Sequence, residues 1–232
     1  MNSLVWKILD IVFPPECPGC NSKGSRWCSN CRDSIQTMPE PICPICGESG
    51  SGQGVCHDCI QKPPDFDALR SATLFEGRIR EALHHLKYNH DLGLGEVLAP
   101  HLVKVYQKQA WSADLVTAVP LSRKRQRMRG YNQAEILAKP FAALIQKPYS
   151  ARAVQRVVDT RSQIDLSADE RRKNVLGAFH ANSLYVSQKS VIIVDDVSTT
   201  GSTISECALA LKQAGAIKVY ALTLARAPLK LN

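Results

Sequence analysis

The chain has 232 residues, 44% of them apolar and 22% charged, a globular composition with room for one substantial domain and a small one. No apolar run approaches the ~18–20 residues of a membrane-crossing helix, so no membrane span is expected. A formal net charge of +8 favours polyanionic partners, either nucleic acid or phosphorylated small molecules.

The opening stretch "MNSLVWKILDIVFPP" is apolar, but Lys7 and Asp10 interrupt it and no small-residue cleavage site follows, which argues against a signal peptide. Leu4, Ile8 and Ile11 keep helical spacing and predict a short amphipathic helix lying on the body. Eight of the nine cysteines come next, as four C-x2-C pairs: "CPGC", "CSNC", "CPIC" and "CHDC". Each such knuckle turns two thiolates toward one metal, so tetrahedral zinc needs two knuckles and four knuckles predict two zinc ions. Sequential pairing is simplest, with Cys17, Cys20, Cys28 and Cys31 on one ion and Cys43, Cys46, Cys56 and Cys59 on the other; a cross-braced arrangement stays open. Disulfides are the competing reading, disfavoured by the spacing and by the lack of a leader. Four protein ligands leave no open coordination position, so the zinc is expected to be structural, with His57 a bystander. A small segment poor in large apolar side chains would depend on that metal for its fold.

"QKPPDFD" is read as a hinge, giving an N-terminal helix plus zinc module over 1–62 and a second domain over 63–232. Beyond it, "RSATLF" predicts a strand and "GRIREALHHLKYN" a helix with Ile79, Leu83 and Leu86 on one face. A second helix, "LGEVLAPHLVKVYQKQ", and a buried strand, "DLVTAVP", follow. "RKRQRMR" then puts Arg123, Lys124, Arg125, Arg127 and Arg129 within seven positions, either a solvated helix face or a polyanion site. "NQAEILAKPFAALIQ" is helical, with Pro140 expected to kink or split it. The chain closes with the strand "SVIIVDD", a helix over "STISECALALKQAG" and the strand "AIKVYALTLAR". The ninth cysteine, Cys207, shares an apolar stripe with Ile204, Ala208 and Leu211 and reads as a core thiol. Alternation with continuously apolar strands predicts an α/β fold, a parallel sheet flanked by helices, with ligands at the carboxyl ends of the strands.

"VIIVDDVSTTGST" therefore delivers Asp195 and Asp196 to the ligand end of the sheet and follows them with a turn rich in hydroxyls. Gly201 would permit close backbone approach, and the N–H groups opening the next helix form an anion cradle. Thr199, Thr200, Ser202 and Thr203 can donate to the same phosphate. Paired carboxylates beside a phosphate cradle suit sugar hydroxyls, or water on a Mg2+ that the ligand carries.

This stretch resembles the phosphoribosyl pyrophosphate (PRPP) signature of the type I phosphoribosyltransferases. Together with "VPLSRKRQRMRGYNQAEILA", "RSQIDLSADERRKNVLGAF" and the four knuckles, it makes the chain similar to the ComF/GntX family over nearly its whole length. The resemblance implies a cytoplasmic role in DNA uptake, either handling the incoming single-stranded DNA in natural transformation (competence) or using external DNA as nutrient, with a DNA-translocation motor protein as a further partner. It carries Asp195 and Asp196 over as ribose or metal-linked contacts and Thr199, Thr200, Gly201, Ser202 and Thr203 as the 5′-phosphate loop. Leu121, Ser122, Arg123 and Lys124, with Arg129, fall where this fold holds pyrophosphate. Gly130, Tyr131, Asn132 and Gln133, and likewise Arg161, Gln163, Arg171 and Asn174, belong to the signature without an evident chemical role. The 150s to 170s are where a flexible active-site loop would lie. Many nucleobase-specific relatives carry an aspartate at the place of Thr199; a threonine cannot act as a base near pH 7. Two functions follow: a DNA-binding factor with a PRPP pocket, or an active Mg2+-dependent transferase using ammonia or another amine acceptor. His84, His85, His90, His101 and His180 show no metal or nucleophile spacing and read as structural or surface residues.

Overall fold

The computed structural model describes residues 14–50, 52, 54–158 and 177–227. Two short helices, α1 (Ser29–Asp33) and α2 (His57–Gln61), sit among the cysteines. They are followed by β1 (Ala68–Leu74), α3 (Gly77–Tyr88), α4 (Leu94–Gln107), β2 (Leu115–Ala118), α5 (Arg123–Arg129) and α6 (Gln133–Leu144). The remainder is β3 (Val154–Arg156), β4 (Phe179–Ala181), α7 (Ser183–Val186), β5 (Ser190–Ser198), α8 (Ser202–Gln213) and β6 (Lys218–Arg226). Strands β1, β6, β5 and β2 lie side by side in that order, all parallel; β3 and β4 form a separate antiparallel pair.

The apolar run in β5 explains the layering. Successive side chains of a strand point to opposite faces. Ile192 and Val194 pack with Leu98 and Leu102 of α4 and Leu137 and Phe141 of α6. Val191 and Ile193 pack on the other face with Ile204, Cys207, Ala208 and Leu211 of α8. Each of those four strand residues is fully buried, the state expected of a parallel strand covered on both sides. Cys207 is the core thiol its stripe predicts, and burial pushes its titration far up.

Pro140 does not split its helix: α6 runs from Gln133 to Leu144 through it. The proline removes one backbone donor, the one that would have served the carbonyl of Ile136. That carbonyl faces Gly95 of α4, where an added Cβ would lie only 2.1 Å from the Ile136 oxygen. Backbone is thus packed on backbone where the ladder lacks a bond, and the helix continues.

The cysteine-rich module is built onto the sheet rather than tethered beside it. The Leu69 N–H of β1 donates to the Ile45 carbonyl at 2.7 Å and the Leu74 N–H donates to Gln36 at 3.0 Å. Arg226, at the end of β6 and 4% exposed, donates through Nε to Glu48 at 2.6 Å and through Nη1 to the Cys46 carbonyl at 2.6 Å. An edge strand with unpaired N–H groups is an aggregation template; the module covers this one. The stretch holding Leu4, Ile8 and Ile11 and the stretch holding Arg161, Gln163, Arg171 and Asn174 lie outside the described residues.

Candidate functional site

The thiols of Cys17, Cys20, Cys28 and Cys31 lie within 4.8 Å of one another, as do those of Cys43, Cys46, Cys56 and Cys59. Cys20 and Cys28 Sγ are 3.6 Å apart and Cys46 and Cys56 Sγ 3.5 Å, close to the ~3.8 Å edge of a tetrahedron with ~2.3 Å zinc–sulfur bonds. The Cys31 N–H points at Cys28 Sγ and the Cys56 N–H at Cys43 Sγ, both at 3.4 Å, as suits thiolate acceptors. The donor set fits two structural zinc ions with sequential pairing, and His57 belongs to neither group.

The second site lies at the carboxyl ends of β2 and β5. The elements after β2 run to the face covered by α6, whereas β5 leads into α8 on the opposite face; the crevice between such strands is a topological switch point. Strand β2 stops at Ala118, and its last link to β5 is the Val119 N–H donating to the Val194 carbonyl at 2.9 Å. Beyond Val194, β5 pairs only with β6, so Asp195 to Ser198 border an open space of about 750 Å³. Asp195, Asp196, Leu121, Ser122, Lys124, Arg125, Arg129 and all of Thr199 to Thr203 line it.

Gly201 opens α8 at φ 78°, a left-handed conformation that only glycine adopts without strain. An added Cβ would lie 3.5 Å from the Phe66 ring, an ordinary contact, so torsion and not close approach is what selects glycine. Thr200 and Ser202 bond to each other through their hydroxyls at 2.8 Å, holding the turn in shape ahead of the first N–H groups of α8.

Asp196 is 5% exposed, and its Oδ2 is 2.6 Å from Lys87 Nζ. Burial works against its charge, but Lys87 holds it below the usual carboxylate range. Burial, and then the charge of Asp196, push Asp195 well above that range. The Asp196 N–H donates to Asp195 Oδ1 at 2.8 Å. Sequence reading missed Lys87. It sits on α3, and nothing in "HHLKYN" marks one cation as facing inward. Tyr88, His90 and Arg156 also line the cavity unannounced.

The five cations of α5 do not form one surface. Lys124, Arg125 and Arg129 face the cavity; Arg123 and Arg127, one turn apart, do not line it. The residues after α5 acquire structural roles. Ser122 caps α5 by accepting from Arg125 N–H at 3.3 Å, and Gly130 ends it at φ 74°. The Tyr131 hydroxyl donates to the Leu86 carbonyl. Asn132 caps α6 and donates to the Val119 carbonyl at 2.9 Å. Arg129 donates to Gln133 Oε1 at 2.9 Å and stands 5.2 Å over the Tyr88 ring, so its guanidinium is held in place.

Residues 8–60 match the double zinc ribbon domain and residues 128–231 the phosphoribosyl transferase domain. The DNA utilization protein YhgH of Salmonella typhi is 32% identical over 210 residues, 87% of this chain and 92% of its own. Competence protein F of Haemophilus influenzae is 30% identical over 86% of this chain and 90% of its own. Among solved structures, the Bacillus subtilis glutamine PRPP amidotransferase with ADP and GMP aligns at 23% identity, covering 61% of this chain and 26% of its own, with a TM-score of 0.38. With both domain matches in order and relatives aligned almost end to end, the chain belongs to the ComF/GntX family of competence and DNA-utilisation proteins, which join a double zinc ribbon to a phosphoribosyltransferase domain.

Proposed function

We propose that the protein is a cytoplasmic DNA-uptake factor that binds single-stranded DNA and holds a PRPP-type phosphosugar in the switch-point cavity. One observation carries the pocket reading: the hydroxyl turn, the aspartate pair and the cations of α5, far apart in sequence, line a single space at the strand ends. In this reading the 5′-phosphate lies on Thr199 to Thr203 and the first N–H groups of α8. Asp195 meets the ribose hydroxyls, and Leu121, Ser122 and Lys124 with Arg125 and Arg129 receive the pyrophosphate; Arg123, off the cavity, does not. Mg2+ would arrive on the pyrophosphate and supply charge neutralisation there. The DNA reading is supported by the names of the relatives, by the +8 charge and by the cations of α5 that do not line the cavity.

The test is calorimetric titration of PRPP in Mg2+ buffer into the zinc-loaded chain and into an Asp195→Ala/Asp196→Ala variant, with pyrophosphate assayed in the same samples. Binding by the wild type that the variant loses is the expected result. No binding at millimolar PRPP would reduce the motif to a scaffold and leave DNA handling alone. Pyrophosphate release on adding ammonia or other amines would make the protein a transferase. Thr199 offers no base for it, so cations on the leaving pyrophosphate would carry the stabilisation.

A further inference from the structure

We propose that Lys87 is a resident monovalent cation of the phosphosugar site, standing at Asp196 where a divalent metal ion would otherwise bind, so that the sugar-phosphate end of the ligand is held without metal. This rests on the phosphosugar reading above. Two consecutive carboxylates at the wall of a cavity cannot both remain ionised without a counter-charge. Here the counter-charge is internal: Lys87 Nζ lies 2.6 Å from Asp196 Oδ2, with the two side chains only 22% and 7% exposed. Burial, and then the charge of Asp196, raise the Asp195 carboxyl, so the pair gains from the ammonium beside it. Within the Lys87–Asp196 pair the charges cancel, and the ammonium occupies the carboxylate oxygen that a metal ion would use. Mg2+ and Mn2+ are bound through anionic oxygens, and little net negative charge is left to hold one. Lys124, Arg125 and Arg129 on the facing helix weaken cation binding further.

Lys87 is placed before any ligand arrives. It lies 6.0 Å from the Phe75 ring, and the preceding residue's carbonyl accepts from the Tyr131 hydroxyl. Helix α3 is tied to the first zinc ribbon near both ends: Arg78 donates to the Gly19 carbonyl at 3.0 Å, and Asp91 just beyond the helix pairs with Arg26.

The experiment uses the full zinc-loaded chain in chelator-free, metal-depleted buffer, so that zinc is not stripped. Mn2+ alone is titrated by calorimetry into wild type, Lys87→Met, Lys87→Gln and Lys87→Met/Asp196→Asn. Ribose 5-phosphate is then titrated with and without Mn2+. The wild type should show no Mn2+ site at the aspartates. Either single variant should gain one, at least about tenfold tighter, and the double variant should lose it. Ribose 5-phosphate affinity should change less than about twofold with Mn2+ in the wild type and become Mn2+-dependent in the single variants. Equal Mn2+ binding by wild type and a single variant, each with its zinc retained and near-UV circular dichroism unchanged, overturns the proposal. So does a wild type that needs Mn2+ to bind ribose 5-phosphate. If no form binds ribose 5-phosphate, the phosphosugar reading fails, while the Mn2+ titrations still decide whether Lys87 holds the cation position.

Discussion

His101, on α4, shows how a residue without chemistry still shapes behaviour. Burial, and then the charges of Lys104 and Arg32, lower its pKa to about 4 from the usual 6.5. The native state therefore keeps the ring neutral at pH values where the unfolded chain protonates it. Wherever the unfolded state binds more protons, stability falls as pH falls. The stability that the neutral ring contributes is complete above pH ~6.5 and is lost as pH drops toward ~4, a swing of about 2 kcal/mol after discounting for the ring's partial exposure. His101→Gln should flatten that part of the profile, read as the difference between the two proteins' urea midpoints from pH 7 to pH 5 at equal zinc content. An unchanged profile would mean that the ring is solvated. At this scale the sequence was readable wherever chemistry is local. The cysteine tetrads, the aspartate pair and Gly201 were found because knuckle, strand end and turn are short-range patterns. Lys87 was not, because its partner Asp196 comes more than a hundred positions later and only the sheet brings them together.

At the scale of elements, two helices behave in ways that periodicity alone could not give. The first is α6, whose proline advertises a break. The sequence carries no sign that the Ile136 carbonyl would meet Gly95 of a neighbouring helix. Gly95→Ala should drive a methyl into that carbonyl and cost about 1–3 kcal/mol, checked by chemical denaturation; a neutral result would mean that α4 and α6 can separate freely. The second is α5, whose run of charge could equally well have been a DNA face or a pyrophosphate clamp. The helix turns Lys124, Arg125 and Arg129 to the cavity and leaves Arg123 and Arg127 off it, which under the proposed function separates a pyrophosphate face from a DNA face. Arg123→Ala/Arg127→Ala should reduce the slope of log affinity for single-stranded DNA against log salt by about 1.4, two phosphate contacts at about 0.7 each, and leave PRPP binding intact. Lys124→Ala/Arg129→Ala should weaken PRPP binding first. The same slope in both variants would put the DNA path elsewhere.

For the whole molecule, the parallel sheet, its covering helices and the metal module were legible, because each rests on a repeated pattern of apolar or cysteine residues. How the module meets the body was not, because its main links, Arg226 to Glu48 and β1 to Ile45, join distant residues of ordinary composition. The consequence is testable. Removing residues 1–62 would uncover the Leu69 and Leu74 N–H groups on the β1 edge and take from Arg226 both its carboxylate and its carbonyl partner. An open strand edge is a template for pairing with other chains, and the packing of the module on the sheet is lost with it, so the truncated chain should aggregate or melt below the intact protein. A stable, monomeric 63–232 fragment would show the two parts to be independent.

The strand order has a further consequence for how the protein is made. Strand β1 pairs with β6, and β6 is the last of the described strands, inserted between β1 and β5. On the ribosome the two zinc ribbons emerge before the sheet and can close on metal ahead of it. They leave β1 with one edge sheltered and the other waiting for residues Lys218–Arg226. Assembly of the sheet is therefore a late event, driven by contacts of long sequence separation, the kind that fold slowly and expose strand edges meanwhile. Metal available during synthesis guards half of the first strand until the last one arrives.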